Sequence, residues 1–170
     1  MPIGTHTIGG WMQDPRCTHD VDLLSAFRHH KKATKALGDA YPRLAVKQSR
    51  IVARFRHRKS ERVAIEICQS DRCHFRVDLA YTNQVRTGEL AFLIPSLELA
   101  VTMKFASMTS PTRELEDQYQ DAHDFLCMIK ANPTIDLRKL AQLETWIPNG
   151  SAKNLRERVR RVLAGEPFRL

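Results

Sequence analysis

Apolar and polar positions change their period near the middle of the 170-residue chain. In the first half, alternation with period two dominates. "RIVARFRH" (50–57) and "RVAIEIC" (62–68) set branched and aromatic side chains at alternate positions, and "RKSE" between them has turn composition, so the pair predicts a β-hairpin. "HFRVDLAY" (74–81) alternates in the same way. Residues 19–25 read as a strand, 5–10 as a short strand ending at Gly9-Gly10, and "LAFLIP" after "RTGE" as one more extended segment. Residues 25–40 break the rule with a helical period that closes near Gly38-Asp39, ahead of Pro42.

From Ser96 onward the period is helical. Ser96 is an N-cap candidate for "LELAVTMKFASM", and a second helix over 114–131 stops at Asn132-Pro133, since proline cannot continue a helix. Residues 135–146 and 152–164 predict two more helices, the last followed by Gly165. The expected fold class is therefore α+β: an α/β core over 1–95 and a helical C-terminal subdomain over 96–170, packed on it as one compact unit.

Composition narrows the setting. No apolar run reaches the roughly 20 residues a bilayer-spanning helix needs, so no membrane partner is expected. "MPIGTHTIGGWM" has no charged segment leading into an apolar one, and the four cysteines contain no C-x-x-C pair; both predict a cytoplasmic chain with free thiols. Cys68, Cys73 and His74 do not have the spacing of the common zinc knuckles. The formal net charge of +8 suits a polyanionic partner, with basic residues spread over 28–32, 54–59 and 156–161 and no RNA-binding signature among them.

The chemistry suggested by the chain is carried by carboxylates. Asp20 and Asp22 flank Val21 and share one face of their strand, while Val21 and Leu23 point the other way. Two carboxylates about 7 Å apart along a strand repel each other unless a cation compensates, and hard divalent cations such as Mg²⁺ prefer such oxygens. Metal-assisted phosphoryl chemistry calls for a third carboxylate on a neighbouring strand. Glu66 shares its face with Ala64 and Cys68, which makes a poor solvent face, whereas Asp78 sits with His74 and Arg76; Glu66 is preferred and Asp78 held in reserve. On the helix after Ser96, Lys104 interrupts the apolar stripe Leu97, Val101, Met108, and the next helix carries Asp117, Asp121 and Asp124 in a line. Two readings stay open for Lys104: an ion pair to Asp121 or Asp124 that locks two helices, and a lysine directed at a triphosphate.

Taken together, Gly9-Gly10-Trp11, Arg16, Thr18, Asp20-Val21-Asp22, Ser96-Leu97-Glu98, Lys104 and Gln120-Asp121-Ala122-His123-Asp124 resemble the nucleotidyltransferase superfamily with the DNA polymerase β-like palm. The likeness runs over about residues 7–130 and is nearest to the uncharacterised and abortive-infection-toxin-like branches. It implies a mixed β-sheet with flanking helices followed by a helical bundle. It also implies two Mg²⁺ ions, bound with the NTP by Asp20, Asp22 and a third carboxylate carried to Glu66. Gly9, Gly10, Arg16, Thr18 and Lys104 would contact the nucleotide, with Asp121 and Asp124 supporting Lys104. The implied activity is transfer of an NMP from an NTP to a hydroxyl acceptor, with RNA or a tRNA end as a candidate acceptor and an antitoxin as a candidate protein partner. Gln120, where the pattern carries a basic residue, and the six residues before Thr7 favour the alternative, a non-catalytic copy of the fold that binds nucleic acid or a protein partner. A two-metal nuclease is a third expectation.

Overall fold

The computed structural model describes residues 1–3, 9–14, 17–49, 51–69, 81–145, 147 and 154–168. They fall into two compact units. The first takes the described residues among 1–7, 16–79 and 83–94, and the second those among 8–15, 80–82 and 95–170.

The first unit is built on a mixed five-stranded sheet in the order β1-β2-β5-β4-β3. Its strands are β1 (Pro2–Ile3), β2 (Val21–Ser25), β3 (Leu44–Gln48), β4 (Val52–His57) and β5 (Val63–Gln69). β2 and β5 run parallel, and the other pairs are antiparallel. A parallel pair needs a crossover, and here it contains α1 (Phe27–Ala40), β3 and β4. The predicted hairpin is present as β4 and β5, and its turn holds Glu61 in the left-handed region at φ 56°. β6 (Thr82–Thr87) and β7 (Leu90–Pro95) form a separate two-stranded sheet, joined by a turn in which Gly88 has φ 60° and needs no side chain to strain.

The alternation in β4 and β5 decides what packs. Ala53, Phe55 and Ile67 are fully buried, against Leu23, Leu44, Ile65 and the α1 residues Ala33 and Leu37. Burying a side chain the size of Phe55 contributes about 2–3 kcal/mol. The residues between them, Asp22, Arg54 and Glu66, therefore face away from α1. Helix α1 itself starts poorly: Ala26 at the N-cap offers no side-chain acceptor, the first turn has no acid, and Arg28, His29, Lys31 and Lys32 crowd the positive end of its dipole.

The second unit is helical, with α2 (Leu97–Met108), α3 (Leu115–Ala131), α4 (Leu137–Glu144) and α5 (Leu155–Leu163). Ser96 caps α2 by accepting from the Leu99 amide at 3.3 Å, as its position in the sequence predicts. Asn132 ends α3 and ties it to an earlier part of the chain: its Nδ2 donates to Met128 O and to Trp11 O, both at 2.8 Å. Phe105 and Phe125 stack tilted at 5.9 Å in a core that also takes Val101, Met108, Met128, Leu140 and Val159. Gly165, at φ 74°, closes α5.

Two local differences from the expectation appear, and one expectation falls outside the described residues. Gly9–Trp11 is a 3₁₀ turn rather than a strand end, because Trp11 and Met12 pack on the helical core. β3 and β6 were not expected as strands. The strand expected over 74–81 lies outside the described residues, apart from Tyr81.

Candidate active site

The parallel pairing of β2 with β5 puts Asp22 directly beside Glu66, with Val21 beside Ile65 and Leu23 beside Ile67. Adjacent strands lie about 4.8 Å apart, so two carboxylates from chain positions far apart become neighbours on one face. The row continues across the sheet: Glu66 is opposite Arg54, and Arg54 is opposite Lys47. Two acids and two bases thus stand in line over four strands. Asp20 sits in the bend that enters β2, where the Thr18 hydroxyl donates to its Oδ1 at 2.6 Å. This bond holds one carboxylate oxygen and leaves Oδ2 for other partners.

Arg54 is the feature that sequence reasoning missed. Its Nε makes an ion pair with Glu66 Oε2, and the Cys68 thiol lies 3.5 Å from Glu66 Oε1. Both partners are partly exposed, with side chains at 44% and 24%, so water screens the pair. The turn at 58–61 alone would set Arg54 opposite Ile65; a register shift between Phe55 and Arg56 brings Arg54 opposite Glu66. Within the sequence, Arg54 reads as one more cation in a basic run.

The second unit treats its charges differently. Lys104 Nζ sits 2.7 Å from both Asp121 Oδ1 and Asp124 Oδ2, and Arg113 Nε lies 2.6 Å from Asp121 Oδ2. Asp121 and Asp124 are buried at 2% and 1%. Gln120 Nε2 also reaches Asp124 Oδ1, at 3.3 Å. The ion pair expected between α2 and α3 is therefore present, and it uses both aspartates. Glu144 forms a comparable closed pair with Arg156, at 2.8 Å to Nε and 2.9 Å to the backbone amide.

Gly9 and Gly10 belong to the second unit, where a methyl group at Gly10 would meet nothing within 4 Å. Arg16 and Asp78 lie outside the described residues.

The donor set of the first unit can be weighed against a divalent metal. Asp20, Asp22 and Glu66 offer only carboxylate oxygens, the donors that Mg²⁺ prefers. Glu66 has one cation beside it, the Arg54 guanidinium. Among the described residues no three His, Cys, Asp or Glu side chains converge as a ready ligand cluster. The donor type suits Mg²⁺, and Glu66 is paired with Arg54 in this structure.

No protein-family profile matches the chain, and no curated protein matches it. Among solved structures it is similar to an antigenic nucleotidyltransferase-like protein from Paracoccidioides brasiliensis. The superposition has a TM-score of 0.55 at 17% identity and covers 97% of this chain and 84% of that one. At that identity the likeness speaks for the fold: the chain has a nucleotidyltransferase-like α+β architecture, with a mixed sheet and, among the described residues, five α-helices. Among the described residues no helix is long and apolar enough to cross a membrane.

Proposed function

We propose that this chain is a Mg²⁺-dependent nucleotidyltransferase, which moves an NMP from an NTP to a hydroxyl acceptor. The observation that carries the reading is the register of β2 on β5, which makes Asp22 and Glu66 neighbours one step from Asp20. In the reaction the acceptor oxygen bonds to the α-phosphorus, the bond from that phosphorus to the bridging oxygen breaks, and pyrophosphate leaves with its electron pair. Asp20, Asp22 and Glu66 (Asp78 in reserve) hold the metal, and Thr18 fixes the Asp20 carboxylate in orientation. Mg²⁺ bound there supplies the charge that steadies the triphosphate and acidifies the acceptor hydroxyl. Arg16, near these residues in sequence, is assigned to phosphate. The net charge of +8 favours an RNA acceptor such as a tRNA end, and the toxin-like form of this reading includes a cognate antitoxin.

A second reading has its own support. Arg54 occupies Glu66, and an arginine in place of a metal is what a non-catalytic, nucleic-acid-binding or partner-binding copy of the fold would keep.

Calorimetry with each of the four NTPs, with and without Mg²⁺, separates the two. Incubating labelled NTPs with total RNA and with the protein alone then shows which product gains label. Metal-dependent NTP binding followed by labelling supports the transferase. Absence of Mg²⁺-dependent binding for all four NTPs leaves the non-catalytic reading. RNA cleavage without NTP points to the two-metal nuclease.

A further inference from the structure

Helix α1 is held to the sheet by one face only. His30, Ala33, Thr34 and Leu37 take that face, and Arg28, Lys31, Lys32 and Lys35 are exposed on the other. Residues three and four apart on a helix are neighbours, so these four cations form a continuous ridge. One carboxylate answers them: Asp39, held by Lys35 Nζ at 2.6 Å. Among the described residues Arg28, Lys31 and Lys32 pair with no carboxylate. The ridge also crowds the positive end of the helix dipole, with no cap and no acid in the first turn. At the head of the ridge stands Phe27, one helical turn from Lys31 and 64% exposed.

We infer that the outer face of α1 is a docking surface for single-stranded nucleic acid, with Arg28, Lys31 and Lys32 on the phosphates and Phe27 as a stacking platform for a base. A row of cations tracks a phosphate backbone, and an exposed ring beside it stacks on any base. An anionic membrane suits the face less well, because the apolar side of α1 is committed to the sheet and leaves a lone Phe27 for insertion. This surface lies on the opposite side of the sheet from Asp22 and Glu66. It is therefore a docking site separate from the carboxylates, and it does not depend on the transferase reading.

The test is fluorescence anisotropy of the full chain with a labelled, unstructured single-stranded RNA, over a series of salt concentrations, with EDTA and no NTP. The proposal expects the triple variant Arg28→Gln, Lys31→Gln, Lys32→Gln to bind at least tenfold more weakly, with the log–log salt slope reduced by about 2. Phe27→Ala should weaken binding about tenfold and leave the slope unchanged, as loss of a stacking contact does. Arg138→Gln, Lys139→Gln, Arg160→Gln in the helical unit removes the same charge and should retain affinity. Far-UV circular dichroism checks that each variant is folded. Equal losses from the two triple variants overturn the proposal in favour of a net-charge effect, as does binding to anionic vesicles with none to RNA. Duplex binding equal to single-strand binding and insensitive to Phe27→Ala overturns the stacking role and with it the single-strand assignment. Asp20→Asn with Asp22→Asn should leave this binding intact, so failure of the ridge and failure of the transferase reading show up in different measurements.

Discussion

Both units carry acidic pairs beside a cation, and the two arrangements differ in how deeply they are buried. In the helical unit Asp121 and Asp124 are sealed at 2% and 1% exposure, with Lys104 on both and Arg113 on one. Such a cluster repays its desolvation only when its partners are in place, and here they are. In the sheet unit Asp20, Asp22 and Glu66 are all part-exposed, on the face of the sheet away from α1, and Glu66 is held by a screened arginine. One cluster is complete within the protein. The other keeps carboxylate oxygens within reach of solvent, as a metal and a phosphate require.

The sharpest way to test that contrast is to neutralise Asp20 and Asp22. Asp20→Asn with Asp22→Asn should lower NMP transfer by at least a thousandfold, equivalent to about 4 kcal/mol in the barrier. The melting temperature should barely change, with a stability change within about 0.5 kcal/mol, because the site is part-exposed. A large loss of stability in urea titration would place this pair with the structural charges.

The closed cluster should respond in the opposite way. Lys104→Met leaves two buried aspartates with one cation fewer, at a cost of about 3–5 kcal/mol in urea unfolding. Adding Asp124→Asn should return part of it. Should Lys104→Met fold as well as the wild type while NTP binding collapses, the lysine is a nucleotide ligand and the contrast between the clusters fails.

A smaller effect comes from His30 in the sheet unit. Its ring is buried, Nδ1 lies 3.1 Å from Ser25 Oγ, and Nε2 meets no hydrogen-bond partner among the described residues. Burial pushes its pKa below the ordinary imidazole value. The unfolded chain therefore takes up a proton at a pH where the folded chain does not. The stability it contributes is complete above about pH 6.5 and is lost as pH falls toward the depressed folded value, at a slope of up to about 1.4 kcal/mol per pH unit. Urea midpoints measured between pH 7.5 and 5 should show this decline, and His30→Gln should flatten it. An unchanged slope in that variant assigns the decline to other groups.

How much of this was readable in the chain depends on how local each signal is. Lys104 with Asp121 and Asp124 was legible because helical spacing fixes which face each residue takes, and the two helices are consecutive. Ser96 and Asn132-Pro133 marked helix ends through chemistry confined to a few residues. β6 was not legible, since "TNQVRT" has one apolar residue and no alternation to read. β3 was missed for a related reason: it is the last strand in the sheet order and exposes Val46, Lys47 and Gln48. The 3₁₀ turn at Gly9–Trp11 follows from packing of Trp11 on distant helices, which no local pattern encodes. The site shows the same division. Asp20 and Asp22 stand out as candidates by their spacing, whereas the adjacency of Asp22 to Glu66 rests on a parallel pairing across a long crossover.

Arg54 allows the finest cut between the two kinds of cluster. If Glu66 is a metal ligand, Mg²⁺ and the guanidinium compete for the same oxygens, and Arg54→Ala removes the competitor. A screened pair of this exposure is worth up to about 1 kcal/mol, so Mg²⁺ affinity in calorimetry should rise by at most about fivefold. Thermal stability should barely change, in contrast to the cost at Lys104. Glu66→Gln in the same background should cancel the gain, because the carboxylate charge that the metal would inherit is gone. If Arg54→Ala leaves Mg²⁺ affinity unmoved while Asp20→Asn with Asp22→Asn abolishes binding, the third ligand is not Glu66. Asp78 then becomes the residue to change.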